Sequence, residues 1–92
     1  MKTYIYNGTE VSLRKDSYRN GTVALVMETL DGELFDVATV NLNNPMQSDD
    51  LAFLDENNLP GIGEWIEENG IGFHTGLLAR SGFCVYPLYQ LL

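Results

Sequence analysis

Two short turn sequences constrain the fold of this chain more than any other feature. Asn7-Gly8 and Asp31-Gly32 each separate two runs of β-branched, aromatic and aliphatic residues. Asn-Gly and Asp-Gly tolerate the positive φ angles that tight hairpin turns require. The sequence therefore predicts two β-hairpins in the first half of the chain.

The positions of the turns also predict which residues face each other. The first turn sets Tyr6 opposite Thr9, and the second sets Met27 opposite Asp36. Both faces of the second hairpin carry mostly apolar side chains. We therefore expect its strands to be central and covered on each side.

The second half of the chain combines sequence patterns of strands, a helix and a loop. Residues 51–54 are a short apolar run, either a fifth strand or a buried connector. Residues 61–69 follow a proline and predict a helix. The glycine-rich stretch 72–82 is typical of a loop. Residues 83–89 predict a last strand at a sheet edge, because Pro87 cannot donate a ladder hydrogen bond. The predicted helix has one apolar stripe, formed by Ile62, Trp65 and Ile66.

The length and composition of the chain limit its number of domains and its fold class. The chain has 92 residues, which fits a single domain spanning residues 1–92. We predict an α+β fold: a mainly antiparallel sheet of four to six strands with one helix packed on it. No apolar run approaches the roughly 20 residues that cross a bilayer, and the N-terminal residues lack the apolar core of a secretory signal. We therefore expect a cytoplasmic protein with no membrane contact.

Catalytic and metal-binding patterns are weak. Cys84 and His74 are the single cysteine and the single histidine. Cys84 lies in an apolar strand and predicts a buried thiol, and His74 is typical of a loop hydrogen-bonding residue. A calcium loop starting at Asp55 fails because its sixth position is Pro60 and its twelfth is Ile66. We expect no catalysis, no cofactor and no metal ion.

The distribution of charge is the feature that points most directly to function. The net charge is −8, and residues 21–79 contain eleven carboxylates and no lysine or arginine. Such a surface disfavours direct binding to nucleic acid. We predict a negative face as the candidate interaction surface, formed by Asp49, Asp50, Asp55, Glu56, Glu64, Glu67 and Glu68.

Part of the sequence resembles a known family. The resemblance lies in Phe53-Leu54-Asp55-Glu56-Asn57-Asn58-Leu59-Pro60, Trp65-Ile66-Glu67-Glu68-Asn69-Gly70-Ile71, Thr75-Gly76, Arg80-Ser81-Gly82-Phe83-Cys84 and Tyr86-Pro87-Leu88-Tyr89. These strings are similar to a family of small bacterial domains of unknown function, carried on conjugative elements and prophages. The resemblance implies a compact α+β domain in a mobile-element setting, and it supplies no catalytic residues.

Two functions fit these observations. The first is a small acidic accessory protein of a bacterial mobile element, which acts through contacts with a basic protein partner. The alternative is an anti-defence inhibitor whose carboxylates imitate the phosphates of DNA. An acidic surface also occurs for solubility alone.

Overall fold

The computed structural model of the protein describes residues 2–42 and 50–92. Within these ranges the chain forms eight strands and one short helix. In chain order they are β1 (Thr3–Tyr6), β2 (Thr9–Ser17), β3 (Val23–Thr29), β4 (Leu34–Val37), β5 (Thr39–Val40), β6 (Leu51–Leu54), α1 (Ile62–Glu68), β7 (Gly72–Ser81) and β8 (Cys84–Leu91). The strands form two four-stranded antiparallel sheets, ordered β1-β2-β3-β4 and β5-β6-β8-β7.

The predicted α+β class is therefore wrong, because the protein is mainly β. The helix has seven residues, and at 1.5 Å per residue it is only about 10 Å long. A helix this short cannot cover a sheet. The two sheets instead share one apolar core with the helix, in which Met27 of β3, Leu54 of β6 and Ile62 of α1 are all fully buried.

The first predicted hairpin is confirmed. Asn7 and Gly8 have φ angles of 49° and 84°, and two positive angles are what a type I′ turn requires. Tyr6 lies opposite Thr9 as predicted. The local turn chemistry thus fixes the register of β1 on β2.

The second hairpin agrees with the prediction only in part: β3 is central and buried, but β4 is an edge strand whose Leu34 and Phe35 are exposed, so the outgoing strand is not covered on each side. Met27 lies opposite Asp36, as the sequence predicts. The loop is one residue longer than expected, since the backbone of Thr29 bonds to Glu33 and the register shifts between Met27 and Glu28. This shift is a β-bulge, and bulges commonly accompany three-residue hairpin loops.

Ala38 is the corner at which the chain passes from one sheet to the other. Its N–H donates to the Leu25 carbonyl of β3, and its own carbonyl accepts from the N–H of Asp55, just after β6, both at 2.9 Å. The Thr39 hydroxyl accepts the N–H of Leu25 at 3.2 Å. These bonds satisfy the backbone of a fully buried segment, so one continuous run of sequence supplies strands to both sheets.

The second sheet contains two further corrections. Residues 72–82, predicted as a loop, form most of β7 and the turn that follows it. The last strand, predicted at an edge, is central, because β8 pairs with β6 on one side and β7 on the other. Pro87 is tolerated there because pairing with β6 extends only to Leu88. The apolar run 51–54 is a strand.

The helix lies close to its predicted bounds. Ile62 and Ile66 are fully buried, and the half-buried Trp65 donates its indole N–H to the Ile5 carbonyl at 2.7 Å. Gly70 (φ 68°) ends the helix, with Ile71 N–H bonded to the Ile66 carbonyl in a Schellman arrangement. In the described ranges no helix is long and apolar enough to cross a bilayer.

Candidate functional site

Three of the predicted surface carboxylates lie together on α1. Glu64, Glu67 and Glu68 are all exposed, and their spacing of three and four residues places them on one side of the helix. We call these three residues the helix patch. Within residues 2–42 and 50–92, the ion pairs are those that Arg14 makes with Asp16 and Glu28. The helix patch is therefore not neutralised by any lysine or arginine in the described ranges.

Two other predicted surface acids hold the fold together instead. Asp55 is buried, at 8% exposure, and its carboxylate accepts the backbone and side-chain N–H groups of Asn58 at 3.2 and 3.0 Å. Glu56 accepts the N–H groups of Gly61 and Gly63 at 2.9 and 2.7 Å. Helix α1 has no side-chain cap of its own, so Glu56 supplies acceptors for its first amides. The carboxylates of Asp55 and Glu56 are thus engaged in local hydrogen bonds, and Asp55 is not exposed.

The remaining two predicted acids contribute less. Asp49 lies outside the described residues. Asp50 is exposed, and its backbone carbonyl accepts the N–H of Leu91 at 2.6 Å and the side-chain amide of Gln90 at 3.3 Å. Of the predicted surface acids in the described residues, the exposed ones are therefore Asp50 and the three of the helix patch.

The carboxylates of α1 and of the preceding turn also act on a buried tyrosine. Tyr89 is 4% exposed. Burial raises the pKa of its hydroxyl above 10.0, and the nearby charges of Glu67, Glu56 and Glu64 raise it further. Burial likewise raises the pKa of Tyr6. Both tyrosines are therefore neutral in the folded protein at neutral pH.

We expect a loss of stability at high pH from these two tyrosines. Because their pKa values are higher in the folded state, their contribution is complete below 10.0, the ordinary value for tyrosine. It is lost as the pH rises through the raised folded values. Urea unfolding at increasing pH measures this loss directly. Tyr89→Phe is expected to weaken the decline, and an unchanged decline would contradict the assignment to Tyr89.

The two predicted candidates for nucleophile and base are far apart. His74 lies opposite Tyr89 in the β7–β8 ladder, and Cys84 lies opposite Ser81 at its other end. Seven residues of strand separate the two positions, which is roughly 20 Å. The His74 Nδ1 accepts the N–H of Gly76 at 2.7 Å, and Cys84 is half-buried rather than buried. The described residues contain no group of three metal-ligating side chains.

The structure reveals a surface that the sequence reasoning missed. Residues 77–87, the outer end of the β7–β8 hairpin, form what we call the arm. Every residue in it is at least partly exposed. Its large apolar side chains are open to solvent, namely Phe83 at 107%, Leu78 at 63%, Leu77 at 58% and Val85 at 46%.

Local chemistry explains why the arm is a hairpin. Gly82 (φ 60°) takes the first position of the two-residue loop, with Ser81 opposite Cys84. A type II′ turn requires glycine at that position. The sequence signal was present in Gly82 between the apolar stretches 77–79 and 83–85, but the other glycines of the segment favoured a loop.

The charge of the arm differs from that of the rest of the chain. All thirteen carboxylates lie at or before Glu68, so residues 69–92 contain none. Arg80 is the single lysine or arginine in that segment. The protein therefore combines an acidic body with an apolar, slightly basic arm.

Comparison with known proteins agrees in part with the resemblance seen in the sequence. A family model described as a domain of unknown function (DUF4313) matches residues 11–92. The chain belongs to this family. The match covers most of β2 and all of β3 to β8, and it includes both the helix patch and the arm. No curated protein and no solved structure matches the chain.

Proposed function

We propose that this DUF4313 protein is a small non-catalytic accessory protein that acts by binding another protein. The observation that carries the proposal is the arm. Four large apolar side chains are exposed within eleven residues of it. Single exposed apolar residues are ordinary, but a cluster of them is typical of an interaction site.

The chemistry of the partner follows from the two surfaces. The arm fits an apolar pocket, and the helix patch fits basic side chains. The two surfaces are connected through β7, since Glu67 of the patch accepts the N–H of His74 at 3.4 Å, three residues before the arm begins. We therefore propose a basic partner with an apolar site. The sequence resemblance supports placing this interaction in a bacterial mobile element.

DNA mimicry is a second candidate, which the helix patch favours. Glu64 and Glu68 are exposed and have no salt bridge in the described part of the chain. Duplex DNA presents a charge every ~1.7 Å along its axis, and an unpaired group of carboxylates resembles that pattern. The carboxylates of Asp55 and Glu56 do not contribute, because local N–H groups bind them.

Affinity capture from the native host with matched variants tests the proposal. Phe83→Ser removes the most exposed apolar side chain of the arm, and Leu30→Ser is its control in the β3–β4 loop, at 59% exposure. We expect Phe83→Ser to lose a protein that the parent and Leu30→Ser retain. A partner captured equally by all three would contradict a role for the arm.

A charge-reversed variant separates the two candidates. Glu64→Lys combined with Glu68→Lys reverses the patch and leaves Glu67, which bonds to His74, in place. DNA mimicry requires this variant to lose all binding to a DNA-binding protein. If Phe83→Ser abolishes binding of the partner and the double variant only weakens it, the apolar arm is the main contact. Contacts of the patch should weaken with added salt.

A further inference from the structure

The arm has two strand edges. Strand β8 is flanked by β6 only at Leu88, Tyr89 and Gln90. Beyond that point β8 pairs with β7 alone, so the arm is a two-stranded ribbon. An open strand edge presents unpaired N–H and C=O groups and readily pairs with another strand.

The edge of β8 is poorly suited to pairing. Pro87 lies on it, directly before Leu88, the first residue of β8 that pairs with β6, and proline has no N–H to donate. Proline is one of the residues that protect an exposed edge from strand addition. This leaves the outer edge of β7 as the available one.

The inner half of the β7 edge is already occupied by side chains. The N–H of His74 donates to Glu67, that of Gly76 to the His74 Nδ1, and that of Leu77 to the Thr75 hydroxyl. The register of β7 on β8 also shifts between His74 and Leu78. Residues 72–76 are thus closed to a further strand.

The outer half of the β7 edge is open. Because Ser81 and Cys84 close a two-residue loop, they exchange both backbone hydrogen bonds, and so do Ala79 and Tyr86. The peptide groups of Leu78 and Arg80 then point away from β8. Residues 77–81 contain no proline and a single charged side chain, so the usual protections of an edge are largely absent.

We propose that two copies of this chain pair through residues 77–81 of β7, antiparallel, about a two-fold axis at Ala79. In this register the outward peptide groups of Leu78 meet those of Arg80 in the second copy, on both sides of the axis. The two arginines do not face each other. The same five residues supply both halves of the contact, as a two-fold interface requires.

The charge distribution favours a second copy as the occupant of this edge. Two chains of net charge −8 repel each other. The arm belongs to the segment without carboxylates, so pairing there joins the chains at their least negative part. The inference concerns the β7 edge of the arm, and the proposed function rests on the same arm. The pairing does not involve Phe83, which lies at the tip of the arm.

Disulfide trapping tests the register. In a Cys84→Ser background, Ala79→Cys places two thiols on directly opposed residues, within the Cα separation of about 4.4–6.8 Å that a disulfide spans. Leu77→Cys in the same background is the control, because the two thiols then lie about 13 Å apart along the strands. We expect rapid covalent dimers from Ala79→Cys only. Equal trapping of both variants, or of neither, would overturn the proposed pairing.

Light scattering or sedimentation tests the dimer without a cross-link. The parent is expected to reach twice the chain mass of 10.3 kDa, with the dimer fraction rising as salt screens the repulsion. Leu78→Lys should weaken the dimer at least tenfold, because it places a lysine opposite Arg80 of the second copy. Leu34→Lys is the matched control at the edge strand β4, with 66% exposure against 63%, and should dimerise like the parent.

These measurements separate the inference from the proposed function. A parent that stays monomeric up to roughly 1 mM, a protein concentration at which even weak specific association is visible, would overturn the dimer. So would a dimer that Leu78→Lys leaves intact in a variant with the parent's melting temperature. Neither result changes the expected loss of partner capture in Phe83→Ser, which tests the proposed function alone.

Discussion

Replacing Trp65 by alanine is expected to destabilise the protein by about 3 kcal/mol, at the lower end of the range for large aromatic deletions because the ring is half-buried. The ring packs edge-on against Tyr6 and Tyr4, with centroids 5.1 and 5.9 Å away. Its indole N–H also donates to the Ile5 carbonyl at 2.7 Å. Trp65 thus joins α1 to β1, two elements that are far apart in the sequence.

Chemical denaturation followed by circular dichroism measures this effect, since Trp65 is the single tryptophan and its fluorescence is lost in the variant. Trp65→Phe is the matched control. It keeps an aromatic ring between the tyrosines but removes the N–H, so we expect a loss of about 1–2 kcal/mol, typical of one hydrogen bond. An alanine variant as stable as the parent would show that the ring does not join the helix to the sheet.

The features that the sequence predicted correctly are those that local chemistry determines. Asn7-Gly8 fixes a two-residue turn, and the register of β1 on β2 follows from it. Gly70 after Asn69 ends the helix, because only a residue that tolerates positive φ fits there. In each case a few neighbouring residues are enough to determine the conformation of the backbone.

The division into two sheets could not be predicted in this way. It depends on Ala38, which bonds to Leu25 on one side and Asp55 on the other. Nothing in the run from β4 to β5 marks the corner, since its mostly apolar residues fit one long strand as well as two short ones. The choice is made by long-range packing, which overrides local preference.

The glycines of residues 72–82 explain the missed strand and the missed arm. A Cβ on Gly72 would overlap the Gln90 carbonyl oxygen, so this glycine permits close approach of β7 to β8. Gly76 (φ 90°) lies in the irregular stretch between His74 and Leu78. Glycine in a strand often marks such sites, but in sequence it is indistinguishable from a loop signal.

For the acidic residues too, some properties follow from the local sequence and others depend on the fold. The helical period correctly predicts that Glu64, Glu67 and Glu68 are solvated. Charge alone could not reveal that Asp55 and Glu56 bind backbone and amide N–H groups. The spacing of Asp55 and Asn58 is a sequence signal for a turn closed by a hydrogen bond to the aspartate side chain. The hydrogen bonds that Glu56 accepts from Gly61 and Gly63 depend instead on how the following turn folds back.

Gly63→Ala is expected to destabilise the protein by about 2–3 kcal/mol, as overpacking of a filled site does. In most helices this change is favourable by about 1 kcal/mol. Here the added Cβ would overlap the Tyr89 hydroxyl and would lie 2.8 Å from a Glu56 carboxylate oxygen. Neither neighbour moves freely, because Tyr89 is buried in a central strand against the His74 ring, and Glu56 holds the first amides of the helix.

A double-mutant cycle identifies the hydroxyl as the cause. Tyr89→Phe removes the hydroxyl oxygen, which is the atom nearest to the new Cβ, and leaves the ring with its Cζ 2.8 Å from that Cβ. We therefore expect the combination of Gly63→Ala and Tyr89→Phe to be less destabilised than the sum of the two single variants, with a coupling of about 1 kcal/mol. Additive losses would place the conflict on the ring or on Glu56 instead. A Gly63→Ala variant more stable than the parent would mean that helix α1 does not pack on Tyr89 as described, and that the carboxylates of α1 do not surround this tyrosine.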